Sequence, residues 1–246
     1  MVTRTLAGKR ALVTGGARRI GRAIALALAE AGASVAITYR EHGEDAETTL
    51  RDLAARDVDA MALRCDVRDP VSVREAVAEV VAEFDGLDLL INNAAIYTEV
   101  ALTEISLEQW DEMFATNARG PFLVSQAAYP HLKAVKGCIV HIGSLGGMLP
   151  WATHGHYCAS KAALHMLSQT MAKAWAPEIS VNCVAPGMIQ QGEKNELDDW
   201  QRLAAKTPMK RNGMAEDVAA AVLFFATAPS FITGQLLAVD GGLGLS

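Results

Sequence analysis

Short β-branched apolar runs alternate with longer Ala/Leu/Glu-rich segments from one end of the chain to the other. An apolar run of four to seven residues suits a strand buried on both faces, and the longer segments between runs suit the crossover helices that parallel strands require. The rhythm is therefore βαβ, which predicts an α/β fold: a doubly wound, seven-stranded parallel sheet with helices on both faces. Strands are predicted at 11–14, 34–39, 59–65, 87–91, 138–142, 180–184 and 236–239. Helices are predicted at 18–31, 44–55, 70–84, 107–132, 157–176 and 215–228. Gly120-Pro121 falls inside the fourth helix and predicts a kink there. The stretch 187–208 fits no strand and carries a short helical pattern at 197–205. An insertion after the sixth strand lies at the carboxyl edge of the sheet, where open α/β folds bind ligands, and is expected to form a substrate lid. Met188, Ile189, Leu197 and Trp200 are expected to face the pocket, with Glu193, Glu196, Asp198 and Asp199 toward solvent.

With 246 residues and a 51% hydrophobic composition, the chain is of ordinary size for one α/β domain, expected to span 1–246. A net charge of −6 and the lack of any Lys/Arg-rich run speak against a nucleic-acid footprint or an anionic membrane surface as partner. No apolar run approaches the ~20 residues of a membrane span, and the first ten residues lack the apolar core of a signal peptide, so a cytoplasmic protein is expected. Cys65, Cys138, Cys158 and Cys183 lie in apolar segments without C-x-x-C spacing, so free thiols are expected rather than a metal site.

The first predicted strand runs into Thr14-Gly15-Gly16-Ala17-Arg18-Arg19-Ile20-Gly21 and then an apolar helix. A glycine-rich turn between strand and helix presents free backbone N–H groups and the positive end of the helix dipole to an anion, which makes a pyrophosphate cradle. The second strand ends Thr38-Tyr39-Arg40, with no carboxylate where one would bind the ribose 2′-hydroxyl of NAD. Arg40 offers a planar fork suited to a 2′-phosphate, with Arg18 or Arg19 able to close on it, so NADP(H) is expected; Glu41 could neutralise Arg40. Asp66, followed by Val67, is placed to accept from an adenine amino group.

Tyr157 and Lys161 stand four residues apart on a predicted helix and so share a face. An exposed tyrosine titrates near ~10 and exchanges protons poorly at neutral pH. Bringing it to ~7 needs roughly 4 kcal/mol of differential stabilisation, more than one exposed lysine supplies. The pair is therefore expected to be partly buried, with a second positive charge nearby.

Asn92-Asn93-Ala94-Ala95 follows the fourth strand, Asn117 lies in the next helix and Ser144 ends the fifth strand, 13 residues before Tyr157. In this order and spacing the chain resembles the classical short-chain dehydrogenase/reductases, from Thr14 through Pro186-Gly187 to Val239-Asp240-Gly241-Gly242. The resemblance implies a single-domain Rossmann fold. It implies Tyr157 as general acid, Ser144 on the substrate oxygen, Lys161 on the phenol and the nicotinamide ribose, and Asn117 anchoring a water that relays protons to Lys161. Gly15, Arg18, Arg19, Ile20, Gly21, Tyr39, Arg40, Asp66, Val67, Asn93, Ala94, Pro186, Gly187 and Ile189 would complete a cofactor site. The family also forms homotetramers through its fourth and fifth helices and through its last helix and strand. Two departures stand out: Arg19 replaces a family glycine, and Ile189-Gln190-Gln191 replaces the usual Thr or Ser after Pro-Gly.

The sequence leaves the substrate open. Many similar members reduce 3-oxoacyl thioesters on acyl carrier protein, for which Lys133 and Lys136 offer a small basic patch. Bacterial pteridine reductases are similar in Ala17-Arg18-Arg19-Ile20-Gly21 and Tyr39-Arg40, although no acidic residue lies between Ser144 and Tyr157. Met148, Trp151, His154 and His156 suggest a mixed aromatic pocket for small ketones, sugars or quinones, the two histidines being expected at the surface. A non-catalytic NADPH sensor is a further alternative, disfavoured by the complete Asn, Ser, Tyr and Lys set.

Overall fold

The structure, a computed structural model, describes residues 5–190 and 197–245. Seven parallel strands form one sheet: β1 (Arg10–Val13), β2 (Ser34–Tyr39), β3 (Ala60–Arg64), β4 (Leu89–Asn92), β5 (Cys138–Ile142), β6 (Ser180–Pro186) and β7 (Leu236–Val239). Their order is β3-β2-β1-β4-β5-β6-β7, so the direction of winding reverses between β1 and β4, and the carboxyl ends of those strands open a crevice for a ligand. The helices are α1 (Arg19–Glu30), α2 (Gly43–Ala54), α3 (Pro70–Phe84), α4 (Leu107–Phe114), α5 (Gly120–Val135), α6 (Gly155–Trp175), α7 (Leu197–Lys206) and α8 (Ala215–Thr227). Two apolar cores lie on opposite faces of the sheet. One joins α1, α2 and α8 to residues such as Val13, Ile37, Ile91 and Val140. The other joins α3, α5 and α6 to Leu12, Ala36, Leu90 and Ile139. Alternate residues of each strand thus enter opposite cores, which explains runs that are apolar throughout.

The fourth helix departs from the sequence expectation. It is two helices, α4 and α5, joined by a π-helical turn at Ala115–Arg119. Pro121 lies in the first turn of α5, where its missing N–H costs nothing, while Pro130 lies inside that helix. The first helical turn of α6 includes Tyr157, because the helix begins at Gly155, two residues earlier than predicted. Of the lid expected over 187–208, residues 191–196 lie outside the described residues, as do the side chains of 197–200 and 203. Ile189, expected to face the pocket, instead packs into the core beside Val218 and forms a parallel bridge to Gly213. Cys65, Cys138 and Cys183 are buried free thiols, and Cys158 is partly buried. No helix among the described residues is long and apolar enough to cross a membrane.

Candidate active site

At the end of β1 the chain turns into α1 through the glycine-rich segment. Gly15 has φ +63, and a Cβ on Gly21 would run into the Gly15 carbonyl and lie 2.6 Å from Asn93 Nδ2. The backbone packing at both positions therefore admits only glycine. Arg19, which stands where the family has glycine, also adopts a left-handed conformation, with φ 52. A left-handed arginine costs roughly 1–2 kcal/mol. Asn93 locks the turn: its Nδ2 donates to the Thr14 and Gly15 carbonyls at 2.9 Å each, while its own N–H and that of Ala94 donate to Thr14 Oγ1. Asn93 and Ala94 thus shape the cradle from behind. The N-cap of α1, Arg18, is extended and provides no side-chain cap. The first-turn N–H groups of α1 are left for an anion, which fits a pyrophosphate.

Beyond the ends of β2 and β3 lies a hollow lined by Arg40, Glu41, Arg64, Asp66, Arg68, Asp69 and Ser72. Arg40 pairs with Glu41 at 2.9 Å. Asp66, expected to be open to an adenine, is engaged by Arg68 Nε at 2.9 Å and Nη2 at 2.6 Å, and these hydrogen bonds hold its carboxyl below the usual range. Arg68 also reaches Glu112 at 2.7 Å. Sequence reasoning missed Arg64 and Arg68, although Arg68 two residues after Asp66 is the signal that could have found the pair. Exposed ion pairs contribute only about 0–1 kcal/mol, so a bound phosphate or adenine could take these groups over at small cost.

The chemical end gathers at the carboxyl ends of β4 and β5. Ser144 leaves β5 in extended conformation and caps a short 3-10 turn, its Oγ accepting from Gly146 N at 3.0 Å. Lys161 is buried and donates from Nζ to the Ile142 carbonyl at 2.8 Å. That ammonium lies 5.9 Å from the centre of the Tyr157 ring. Burial lowers the Lys161 pKa to about 8. Burial also pushes the Tyr157 phenol up to about 12, against the opposing hydrogen bond of Ser144. Lys161 alone therefore does not hold the phenol low, in keeping with the expectation that a second positive charge is needed: desolvation exceeds the attraction of an ammonium committed to a carbonyl.

Asn117 lies in the π turn, completely buried. Its Oδ1 accepts from Ile96 N, and its Nδ2 donates to Ile96 O and to Ser160 Oγ. Its amide thus ties the segment after β4 to α6 and is fully occupied. Three rings collect around the phenol: Tyr97 meets Tyr157 edge-on at 5.0 Å, Trp151 stacks on Tyr157 at 6.1 Å, and His154 stacks on Tyr97 at 4.8 Å. His154 and His156, expected at the surface, are both buried. The turn into α6 folds them inward, where His156 Nε2 bonds Thr98 at 2.8 Å and His154 Nδ1 bonds Thr153 at 3.0 Å.

Pro186 ends β6 opposite Val239, and Gly187 packs so closely on Asp240 that a Cβ would lie 2.7 Å from the Asp240 Cβ. The Asp240 carboxylate accepts from Gly242 N and Gly244 N, which fixes the C-terminal Gly-Gly turn under this strand end. Together the strand ends form one continuous edge, from the arginine hollow to Ser144 and Tyr157, with a glycine cradle between them.

Known proteins with the same arrangement identify the family. A family model described as enoyl-(acyl carrier protein) reductase matches residues 15–244. The chain is 37% identical over 240 residues to the 3-oxoacyl-[acyl-carrier-protein] reductase FabG of Staphylococcus aureus, covering 96% of this chain and 98% of that protein. It is 34% identical to the short chain dehydrogenase mdpC of Emericella nidulans, covering 96% of each. Among solved structures, a gluconate 5-dehydrogenase from Burkholderia cenocepacia in complex with NADP and tartrate superposes with a TM-score of 0.91 at 35% identity, covering 100% of this chain and 99% of that one. This chain belongs to the short-chain dehydrogenase/reductase family and is a nicotinamide-dependent oxidoreductase that acts between alcohol and carbonyl.

Proposed function

We propose that the protein reduces the 3-oxo group of an acyl thioester with NADPH. The observation that carries this reading is geometric: Ser144 follows the end of β5 while Tyr157 and Lys161 stand one turn apart on α6, with the Lys161 ammonium 5.9 Å from the centre of the phenol ring. When bound, the cofactor supplies the hydride and, once oxidised, a positive charge beside the phenol. Ser144 Oγ would hold the substrate carbonyl oxygen, and Tyr157 would give that oxygen its proton. A phenol that the chain holds at about 12 is in its acidic form at neutral pH, as proton donation requires. Lys161, anchored on Ile142 O, would keep its remaining N–H bonds for the ribose and for proton return to the phenol. Because the Asn117 amide is occupied, any water it anchors would sit on a main-chain carbonyl of the π turn, where the i→i+4 ladder is broken.

Arg40, Arg64 and Arg68 favour a 2′-phosphate, and the cradle at Gly15, Ile20 and Gly21 favours the pyrophosphate. The acyl carrier reading rests on the similarity to FabG. Its proposed basic patch is modest, since Lys133 lies 3.9 Å from Glu178. A second reading, a flat ring ketone, is favoured by Tyr97 and Trp151 against Tyr157.

Following NADPH absorbance with an acetoacetyl thioester and with a ring diketone separates the two. The thioester should give the higher kcat/KM, and the reverse order would select the ring ketone. Tyr157→Phe should lower kcat about 10²–10⁴-fold with NADPH affinity nearly unchanged. Wild-type turnover in that variant would show that another group supplies the proton.

A further inference from the structure

His165 is one turn beyond Lys161 on α6, and the reaction as described does not use it. Its Nε2 accepts a hydrogen bond from the backbone N–H of Ser144 at 3.3 Å. The imidazole is buried and wedged between the two glycines that flank the Ser144 turn. A Cβ on Gly143 would collide with Nε2, and a Cβ on Gly147 would lie 2.5 Å from Cε1. The fold thus omits two side chains at the points where this ring meets the loop. Ser144 N follows the last rung of the β5–β6 ladder, in which Gly143 N donates to Val184 O. With no strand partner for that N–H, the imidazole supplies the acceptor.

We propose that His165 is a positioning residue for the catalytic serine: by accepting from Ser144 N–H it fixes the backbone from which Oγ is aimed at the substrate oxygen. Ser144 Oγ is oriented from the other side by Gly146 N at 3.0 Å, so the hydroxyl is held at both ends of its residue. The role requires a bare lone pair on Nε2. Burial, reinforced by the Lys161 ammonium, supplies it by lowering the His165 pKa to about 4 and keeping the ring neutral. A leucine or methionine would fill the same volume but leave the Ser144 N–H without a partner, and a buried unpartnered donor pulls its loop toward another acceptor.

This inference rests on the assignment of Ser144 and Tyr157 to the chemistry. The test uses the full chain, NADPH, and whichever of an acetoacetyl thioester or a ring diketone the wild type reduces. His165→Met should lower kcat about 10–100-fold with KM and NADPH affinity changed less than about threefold. His165→Gln, whose amide oxygen can take the place of Nε2, should recover most of that loss. In a Ser144→Ala background the Met substitution should cost little further, because the residue it positions is gone. Should His165→Met fail to fold, His165→Asn, one methylene shorter and out of reach of Ser144 N, replaces it in the same comparison. Full kcat in the Met or Asn variant, a Gln variant no better than they are, or additive losses in the double variant would each overturn the proposal and leave the ring as packing. Tyr157→Phe is the control: if it keeps wild-type turnover, the assignment of the site has failed, whereas an inactive Phe variant beside additive His165 losses sinks only the positioning role.

Discussion

Lys161 carries a stability cost that comes with its burial. A base whose native pKa is lowered, from 10.5 to about 8, is charged at full cost below pH 8, and the native state regains stability as the pH rises through that value. The shift corresponds to something on the order of 3 kcal/mol, and the group is fully buried, so solvent screening removes little of it. Losing the bond to Ile142 O offsets about 1 kcal/mol of that in a Lys161→Met variant. The variant should therefore be inactive yet more stable than wild type by about 2 kcal/mol near pH 7, the gap narrowing toward pH 9. Urea denaturation at several pH values measures it, and a gap that stays constant through pH 9 would show that burial does not lower the lysine's pKa. Arg40 gives a second test. Arg40→Asp should turn preference for NADPH into preference for NADH, whereas equal kcat/KM for the two cofactors in the unaltered protein would remove the 2′-phosphate assignment. At this scale the Tyr157–Lys161 pair and the glycine turn were legible from spacing along one helix and one turn, and Ser144 only through its place in the family's order, 13 residues before Tyr157. His165 was not, since what defines it is a partner reached across the fold, Ser144 N; for Arg68 the nearby Asp66 was a signal overlooked, and only Glu112 is a partner from a distant element.

Strands announce themselves through burial on both faces, which is why all seven were read from apolar runs, with errors confined to their ends. The α4–α5 pair shows the limit. A π turn is one residue of slack in an otherwise helical pattern, and Ala115-Thr116-Asn117-Ala118-Arg119 has no propensity that betrays it. The start of α4 is another matter: Ser106 and Gln109 form a reciprocal capping box whose spacing is visible in the sequence. The slack has a use, because it turns Asn117 toward Ile96 and Ser160, joining three elements through one amide. Asn117→Ala removes these bonds and leaves the part-buried N–H and C=O of Ile96, and the buried Ser160 hydroxyl, without this partner. The expected loss is about 2–4 kcal/mol, or roughly 4–16 °C in Tm for a chain of this size. A Tm within about 2 °C of wild type would mean that the π turn holds its shape without the amide.

Among the apolar side chains exposed on the described residues, two groups on separate elements have the character of subunit contacts. Leu107, Trp110, Phe122 and Met166 lie on α4, α5 and α6; Phe224, Phe231, Leu237 and Leu245 lie on α8 and around β7. Phe231 is 98% exposed and Leu245 93%, far more than a monomer gains anything by showing. Burying a large apolar side chain is worth about 1.5–3 kcal/mol, so four on each face offer roughly 6–12 kcal/mol before the cost of association. A face that pairs with its own copy closes about a two-fold axis, and two such faces on different elements generate a tetramer with two kinds of contact. The protein should therefore sediment as a homotetramer at micromolar concentration. Charges placed on one face only, as Phe224→Asp with Phe231→Asp, or Phe122→Glu with Met166→Glu, should each leave a dimer held by the other face. All four together should give monomers, with the far-ultraviolet dichroism of the parent retained if the fold stands without its neighbours. Sedimentation of the unaltered chain as a monomer would overturn the tetramer, and a monomer from either pair alone would show that the two contacts are not independent.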